Sequence, residues 1–119
     1  MQSISPETIF RGDDAWDKAL PQIINLTKSP LILGRSVHTN DIKNKIFIDL
    51  KNRELNVNLT NLQFDCCYED ISKVKDIILN NNHDAVIAAG GGKVLDSGKY
   101  IAEILNIPCI TVQIGRAHV

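Results

Sequence analysis

The residues with the clearest chemical content are Ala88-Ala89-Gly90-Gly91-Gly92-Lys93-Val94-Leu95-Asp96-Ser97-Gly98-Lys99. A run of small apolar residues ends, three glycines follow, and a helical pattern begins. At such a helix start the free backbone N–H groups and the positive end of the helix dipole face outward, which suits a phosphate or pyrophosphate. Glycine matters there because a Cβ would hold the ligand away from the backbone. Lys93 adds a cation at the mouth, and Asp96, one turn in, offers a carboxylate to a neutral polar group of the ligand. Counting excludes two familiar glycine motifs. The P-loop spacing of Gly-x4-Gly-Lys-Ser/Thr is not met. The dinucleotide pattern Gly-x-Gly-x-x-Gly would need a glycine at 94 or 95, where Val94 and Leu95 stand. The plain alternative is a turn that only closes a strand-to-helix connection.

Such a turn has to be held by a scaffold, and the pattern along the chain supplies one. Thr8-Ile9-Phe10 reads as a short strand ended by Gly12. Asp13 or Asp14 then caps a helix with Trp16, Leu20, Ile23 and Ile24 on one face, in which Pro21 should force a kink or a restart. Leu31-Ile32-Leu33 is a buried strand closed by Gly34. A helix from Thr39 or Asn40 carries Ile42, Ile46 and Leu50 four apart. Leu55, Val57 and Leu59 alternate with asparagines as a half-wet strand, and Gln63-Phe64-Asp65 continues as a loop or extended piece. A helix over Glu69–Asn80 ends at Asn80-Asn81-Asn82. Ala85–Ala89 is apolar throughout, as in a strand covered on both faces. A helix over Lys93–Leu105 and a strand over Ile107–Val112 follow. This alternation predicts an α/β fold: a Rossmann-like parallel sheet with helices on both faces.

Composition agrees and removes other classes. At 119 residues with 44% hydrophobic and 23% charged residues, the chain is one modest globular domain and not a disordered one. A net charge of −1, with no basic cluster, argues against nucleic acid or an anionic membrane as partner. No apolar run approaches a membrane span, and Met1–Glu7 lacks the basic and apolar segments of a signal peptide. Three cysteines without Cys-x-x-Cys spacing fit a reduced, cytoplasmic protein. Cys66, Cys67 and Cys109 read as plain thiols, His38 and His83 as isolated, and Trp16 as core. Asp13-Asp14 and Glu69-Asp70 read as helix caps, and Lys99 and Glu103 as an i,i+4 pair. The tail Gln113–Val119 departs in style from the Ile-, Asn- and Lys-rich remainder. One back-translation of it contains, after its first base, the start of a widely used sequencing adapter. The expected organisation is therefore an incomplete N-terminal domain over 1–112 and a non-native tail over 113–119.

Gly90-Gly91-Gly92-Lys93-Val94-Leu95-Asp96-Ser97-Gly98-Lys99, followed by Leu105-Asn106-Ile107-Pro108, closely resembles the cofactor motif of the iron-containing alcohol dehydrogenases, most nearly the glycerol dehydrogenase branch. The resemblance runs back through residues 8–34. It implies a two-domain enzyme that binds NAD or NADP through its N-terminal domain and a divalent metal, iron or zinc, through a later helical one. It implies that Gly91, Gly92, Lys93, Val94 and Leu95 touch the dinucleotide, with pyrophosphate on the glycine turn and Asp96 towards the nicotinamide end. The metal ligands would lie beyond position 112, so the fragment alone should carry no catalytic residue. The intact product would be a homo-oligomer acting on a small alcohol or polyol.

Two departures from the family pattern stand out. NAD-dependent members usually carry an Asp after the second strand to bind the adenosine ribose hydroxyls, and Arg35 stands there, in Leu33-Gly34-Arg35-Ser36. An arginine could instead pair with a 2′-phosphate, which favours NADP over NAD. Gly98 replaces the usual alanine, a small loss of helix propensity of about 1 kcal/mol that leaves the motif intact. Two alternatives stay open. Sugar-phosphate cyclases related to dehydroquinate synthase share Gly-Gly-Gly-x-x-x-Asp but usually continue Asp-x-x-Gly-Phe, where this chain has Lys99-Tyr100. A stand-alone, non-catalytic nucleotide-binding module is the other.

Overall fold

The computed structural model describes residues 9–35, 40–62 and 68–113. Strand and helix alternate along them: β1 (Ile9–Arg11), α1 (Gly12–Leu26), β2 (Pro30–Gly34), α2 (Asn40–Asn52), β3 (Asn58–Asn61), α3 (Tyr68–Asn80), β4 (Ala85–Gly90), α4 (Gly92–Leu105) and β5 (Cys109–Gln113). The five strands form one sheet in the order β1-β5-β4-β2-β3, and every pairing is parallel. Parallel neighbours need crossover connections, and each helix supplies one.

Side-chain alternation along the strands divides the core in two. On one face Trp16, Leu20 and Ile23 of α1 and Ile46 and Leu50 of α2 pack on Ile32, Ile87, Ile110 and Val112. On the other, Ile71, Val74 and Ile78 of α3 and Val94, Ile101 and Ala102 of α4 pack on Leu31, Leu33, Val86 and Ala88. Each large aliphatic side chain so buried contributes about 1.5–3 kcal/mol. β2 and β4 lie between both layers and are buried at every residue, which is why they read as unbroken apolar runs. The sandwich is the Rossmann-like α/β arrangement that the alternation implies.

The amino ends of β2 and β4 are tied by polar groups. Asp84 accepts the Thr27 hydroxyl together with the Lys28 N–H at 3.1 Å and the Ser29 N–H at 3.2 Å. His83, expected to stand alone, is buried beside it. Its Nδ1 lies 3.0 Å from the Ser29 carbonyl, where it donates, and its Nε2 lies 3.0 Å from Asn58 Nδ2. Both ring nitrogens are thereby satisfied, and the ring serves as a spacer between β2, β3 and β4. Helix exits follow the asparagines. Asn82 and Asn106 take left-handed φ values of 57° and 60°, and the Ile107 N–H closes α4 on the Ala102 carbonyl at 2.9 Å.

Three local expectations change. Pro21 neither ends nor restarts α1, which runs as one helix from Gly12 to Leu26. The proline is exposed, so its missing N–H costs one internal bond at a wet position. β3 covers only Asn58–Asn61; Leu55 and Val57 are buried ahead of it, because the Asn56 N–H is held by the Lys28 carbonyl at 3.1 Å instead of by the ladder. β5 begins at Cys109, two residues later than the apolar run, and extends to Gln113, which pairs with Gly90 and Arg11. The calls on His38, Gln63, Phe64, Asp65, Cys66 and Cys67 lie outside the described residues.

Candidate cofactor site

The strand order reverses between β2 and β4. From β2 the chain crosses to β3 on one side, and from β3 it returns to β4 on the other. The turns leaving β2 and β4 therefore diverge to opposite faces of the sheet, and an open α/β sheet binds ligands in the crevice outside such carboxyl ends. Leu33 and Ala88 are in register, so the Gly34-Arg35 turn and the Gly90-Gly91-Gly92 turn flank one crevice. The sequence places both candidate segments at the same edge, and the structure brings them together.

The three glycines do different work. Gly90 ends β4 at φ 151°, a conformation that side-chain-bearing residues rarely adopt, and a Cβ there would come within 3.2 Å of Val94 Cγ2. Gly91 is the N-cap of α4 at φ −90° and ψ −168°, ordinary extended backbone, and no side chain caps the helix. A Cβ at Gly91 or at Gly92 would meet nothing within 4 Å. Neither packing nor conformation of the chain itself asks for glycine at 91 and 92. What their absent side chains leave is exposed backbone beside open space, with no side-chain cap, at the positive end of a helix of 14 residues. That cradle fits a pyrophosphate.

The neighbouring candidates sort by burial. Val94 and Leu95 belong to the core cluster under α4, so only their backbone is available to a ligand. The Leu95 N–H is already engaged by the Gly91 carbonyl at 3.0 Å. Lys93 and Asp96 are exposed on the first turn. Ser97 is buried and returns its hydroxyl to the Lys93 carbonyl at 2.7 Å. Arg35 is exposed at the end of β2. Gly98 has a packing role as well: a Cβ there would lie 2.6 Å from Ala88 Cβ. This glycine lets α4 lie close against β4, so its role is packing as well as a small loss of helix propensity.

One residue of this edge escapes the sequence pattern. Lys43 of α2 is fully buried, and its Nζ donates to Asn61 Oδ1 at 2.7 Å. Burial pushes its pKa below the ordinary lysine value. The signal was present, since Lys43 lies three and seven residues before Ile46 and Leu50 and so on their inner face. Among the described residues no three His, Cys, Asp or Glu stand together as metal ligands, so the described part offers no seat for the expected iron or zinc. No helix among the described residues is long and apolar enough to cross a membrane.

Comparison with known proteins gives a consistent picture. The family model for iron-containing alcohol dehydrogenases matches residues 6–116. The glycerol-1-phosphate dehydrogenase [NAD(P)+] of Methanocorpusculum labreanum is 27% identical over 116 residues, 95% of this chain and 31% of that protein. Glycerol dehydrogenase 1 of Schizosaccharomyces pombe is 27% identical over 107 residues, 89% of this chain and 24% of that protein. The chain thus spans about a third or less of the length of the curated relatives it matches. Among solved structures, the S. pombe glycerol dehydrogenase superposes with a TM-score of 0.70 at 23% identity, over 92% of this chain and 28% of that one. An iron-containing alcohol dehydrogenase of Thermotoga maritima gives 0.77 at 17% identity, over 94% and 37%. At these identities the superpositions speak to fold.

Proposed function

Because the chain belongs to the iron-containing alcohol dehydrogenase family, we propose that it is the dinucleotide-binding part of a dehydrogenase acting on a small alcohol or polyol. The observation that carries this reading is the open backbone at Gly91 and Gly92, facing the crevice where the strand order reverses. In it the N–H groups of the glycine turn bind the pyrophosphate, with Gly90 making the turn possible. Val94 contributes backbone, Leu95 anchors the turn through its N–H on the Gly91 carbonyl, Lys93 adds positive charge at the rim, and Asp96 orients a polar group towards the nicotinamide end. When bound, the nicotinamide accepts or returns the hydride. Arg35 pairs with a 2′-phosphate, so NADP is favoured over NAD. The relatives' names support the substrate class, one being a glycerol and another a glycerol-1-phosphate dehydrogenase.

The test is dinucleotide binding by the full-length gene product, followed by oxidation of glycerol-type polyols read as reduced nicotinamide. Wild type should bind NADP more tightly than NAD, and Arg35→Asp should reverse that order, since a carboxylate accepts from ribose hydroxyls and repels a phosphate. A protein that binds neither dinucleotide refutes the reading. A preference for NADP that survives Arg35→Asp removes Arg35 from it.

A further inference from the structure

Asn61 closes β3 at an exposed position on the edge of the sheet, in register with Gly34 of β2. The Leu62 N–H reaches the Gly34 carbonyl at 2.8 Å and carries the ladder one step further, so the two strand ends are held side by side. Two observations fix the Asn61 carboxamide. A Cβ on Gly34 would come within 2.9 Å of its Oδ1, so the amide lies against the bare end of β2. The Lys43 ammonium group meets the same atom at 2.7 Å. An ammonium group only donates, so the atom facing it is the oxygen, whatever other groups Lys43 meets. The two N–H bonds of Nδ2 therefore lie on the other side of the carboxamide, away from the buried lysine. Asn61 is thus an oriented donor at the carboxyl end of β2, beside the crevice where the strand order reverses.

We infer that Asn61 is a further cofactor-binding residue, donating through Nδ2 to the 2′ oxygen of the adenosine ribose. This rests on the cofactor reading above. With pyrophosphate on the turn after β4, the adenosine extends across the switch point to the end of the neighbouring strand, here β2. Strands lie about 4.8 Å apart, so a side chain that reaches β2 from β3 is within range of that sugar. A carboxamide N–H bonds a hydroxyl oxygen in NAD and a phosphate oxygen in NADP alike. A carboxylate at 61 would accept from a hydroxyl and repel the phosphate. The asparagine admits both forms where an aspartate would select one.

The experiment measures affinities of the full-length gene product for 5′-AMP, 2′-deoxy-5′-AMP and 2′,5′-ADP, alongside NAD and NADP. Asn61→Ala removes the donor, with thermal melting as a check on folding. Asn61→Asp keeps an oxygen for Lys43 and turns the outward donor into an acceptor. Asn61→Ala should weaken 5′-AMP about fivefold and leave 2′-deoxy-5′-AMP within about twofold, because only the first carries the oxygen. Asn61→Asp should hold 5′-AMP within about twofold and weaken 2′,5′-ADP and NADP about tenfold. An Asn61→Ala protein in which 5′-AMP and its 2′-deoxy analogue shift equally, or not at all, overturns the inference and leaves the cofactor reading standing. An Asn61→Asp protein that keeps the wild-type ratio of 2′,5′-ADP to 5′-AMP affinity does the same. Binding of neither dinucleotide by wild type removes both.

Discussion

Gly92→Ala should make the protein more stable and its cofactor binding weaker. Gly92 is the first residue of α4, and a methyl group there meets no atom within 4 Å. Alanine is favoured over glycine in a helix by about 0.5–1 kcal/mol, mostly through the freedom that glycine loses on folding. For a domain of this size that corresponds to a melting temperature higher by about 2–5 °C. The same methyl group occupies the space through which a phosphate oxygen would approach the first-turn N–H groups. Losing one charge-assisted hydrogen bond costs about 1.5–3 kcal/mol, or about 10- to 100-fold in dissociation constant. Urea unfolding and dinucleotide titration of the full-length gene product read the two effects separately. Gly98→Ala is the control, being the same substitution in the same helix. Its Cβ would be driven to 2.6 Å from Ala88 Cβ, which cannot rotate away. Overpacking of about 1–3 kcal/mol then outweighs the propensity gain, so this variant should be destabilised. A Gly92→Ala protein that binds the dinucleotide as tightly as wild type would refute the idea that the bare turn exists for the ligand.

Two further outcomes are expected. Asp84→Ala unties the Thr27 hydroxyl and the Lys28 and Ser29 N–H groups. It should cost about 2–4 kcal/mol in urea unfolding without changing cofactor affinity, since the cluster lies at the opposite end of the strands from the glycine turn. The pH dependence of stability should carry opposite signatures from two lysines. Burial lowers the pKa of Lys43 from 10.5, so between its folded pKa and 10.5 the unfolded chain binds more protons and stability rises with pH. Lys45 is held above 10.5 chiefly by its hydrogen bond to Asp17, so its contribution is complete below 10.5 and is lost as pH rises through the folded value. Unfolding curves of wild type and Lys43→Met from neutral pH to about 10.5 check this, because only wild type should show the rise.

The elements were legible wherever apolar spacing and turn chemistry agreed. The run Ala85–Ala89 read as a strand covered on both faces and the glycines as its turn into a helix, and Gly90 ends β4 while Gly92 opens α4. The asparagines at 82 and 106 marked helix exits because few other residues accept a left-handed conformation. What the sequence left out depends on partners far away in the chain. Gly98 looked like a minor substitution until Ala88, across the layer, gave it a reason. Lys43 sat on an apolar face and was passed over because its acceptor, Asn61, is a polar residue of an edge strand. His83 looked isolated since Ser29 and Asn58 reach it only through the sheet. Of the two outcomes open for Pro21, a kink or a restart, the restart is excluded by the continuous helix over Gly12–Leu26.

Strand order also has a consequence for synthesis. Among the described residues β1 pairs only with β5, Ile9 lying beside Thr111 and Phe10 beside Val112. β1 therefore leaves the ribosome about a hundred residues ahead of β5, the strand it docks on. Until Cys109–Gln113 emerges, the β2, β3 and β4 ladder can assemble, but the side of β4 that receives β5 stays open. Contacts of such sequence separation form late and slowly. The nascent chain thus passes through a stage with an unpaired apolar strand edge, in which a holding chaperone would have its natural substrate.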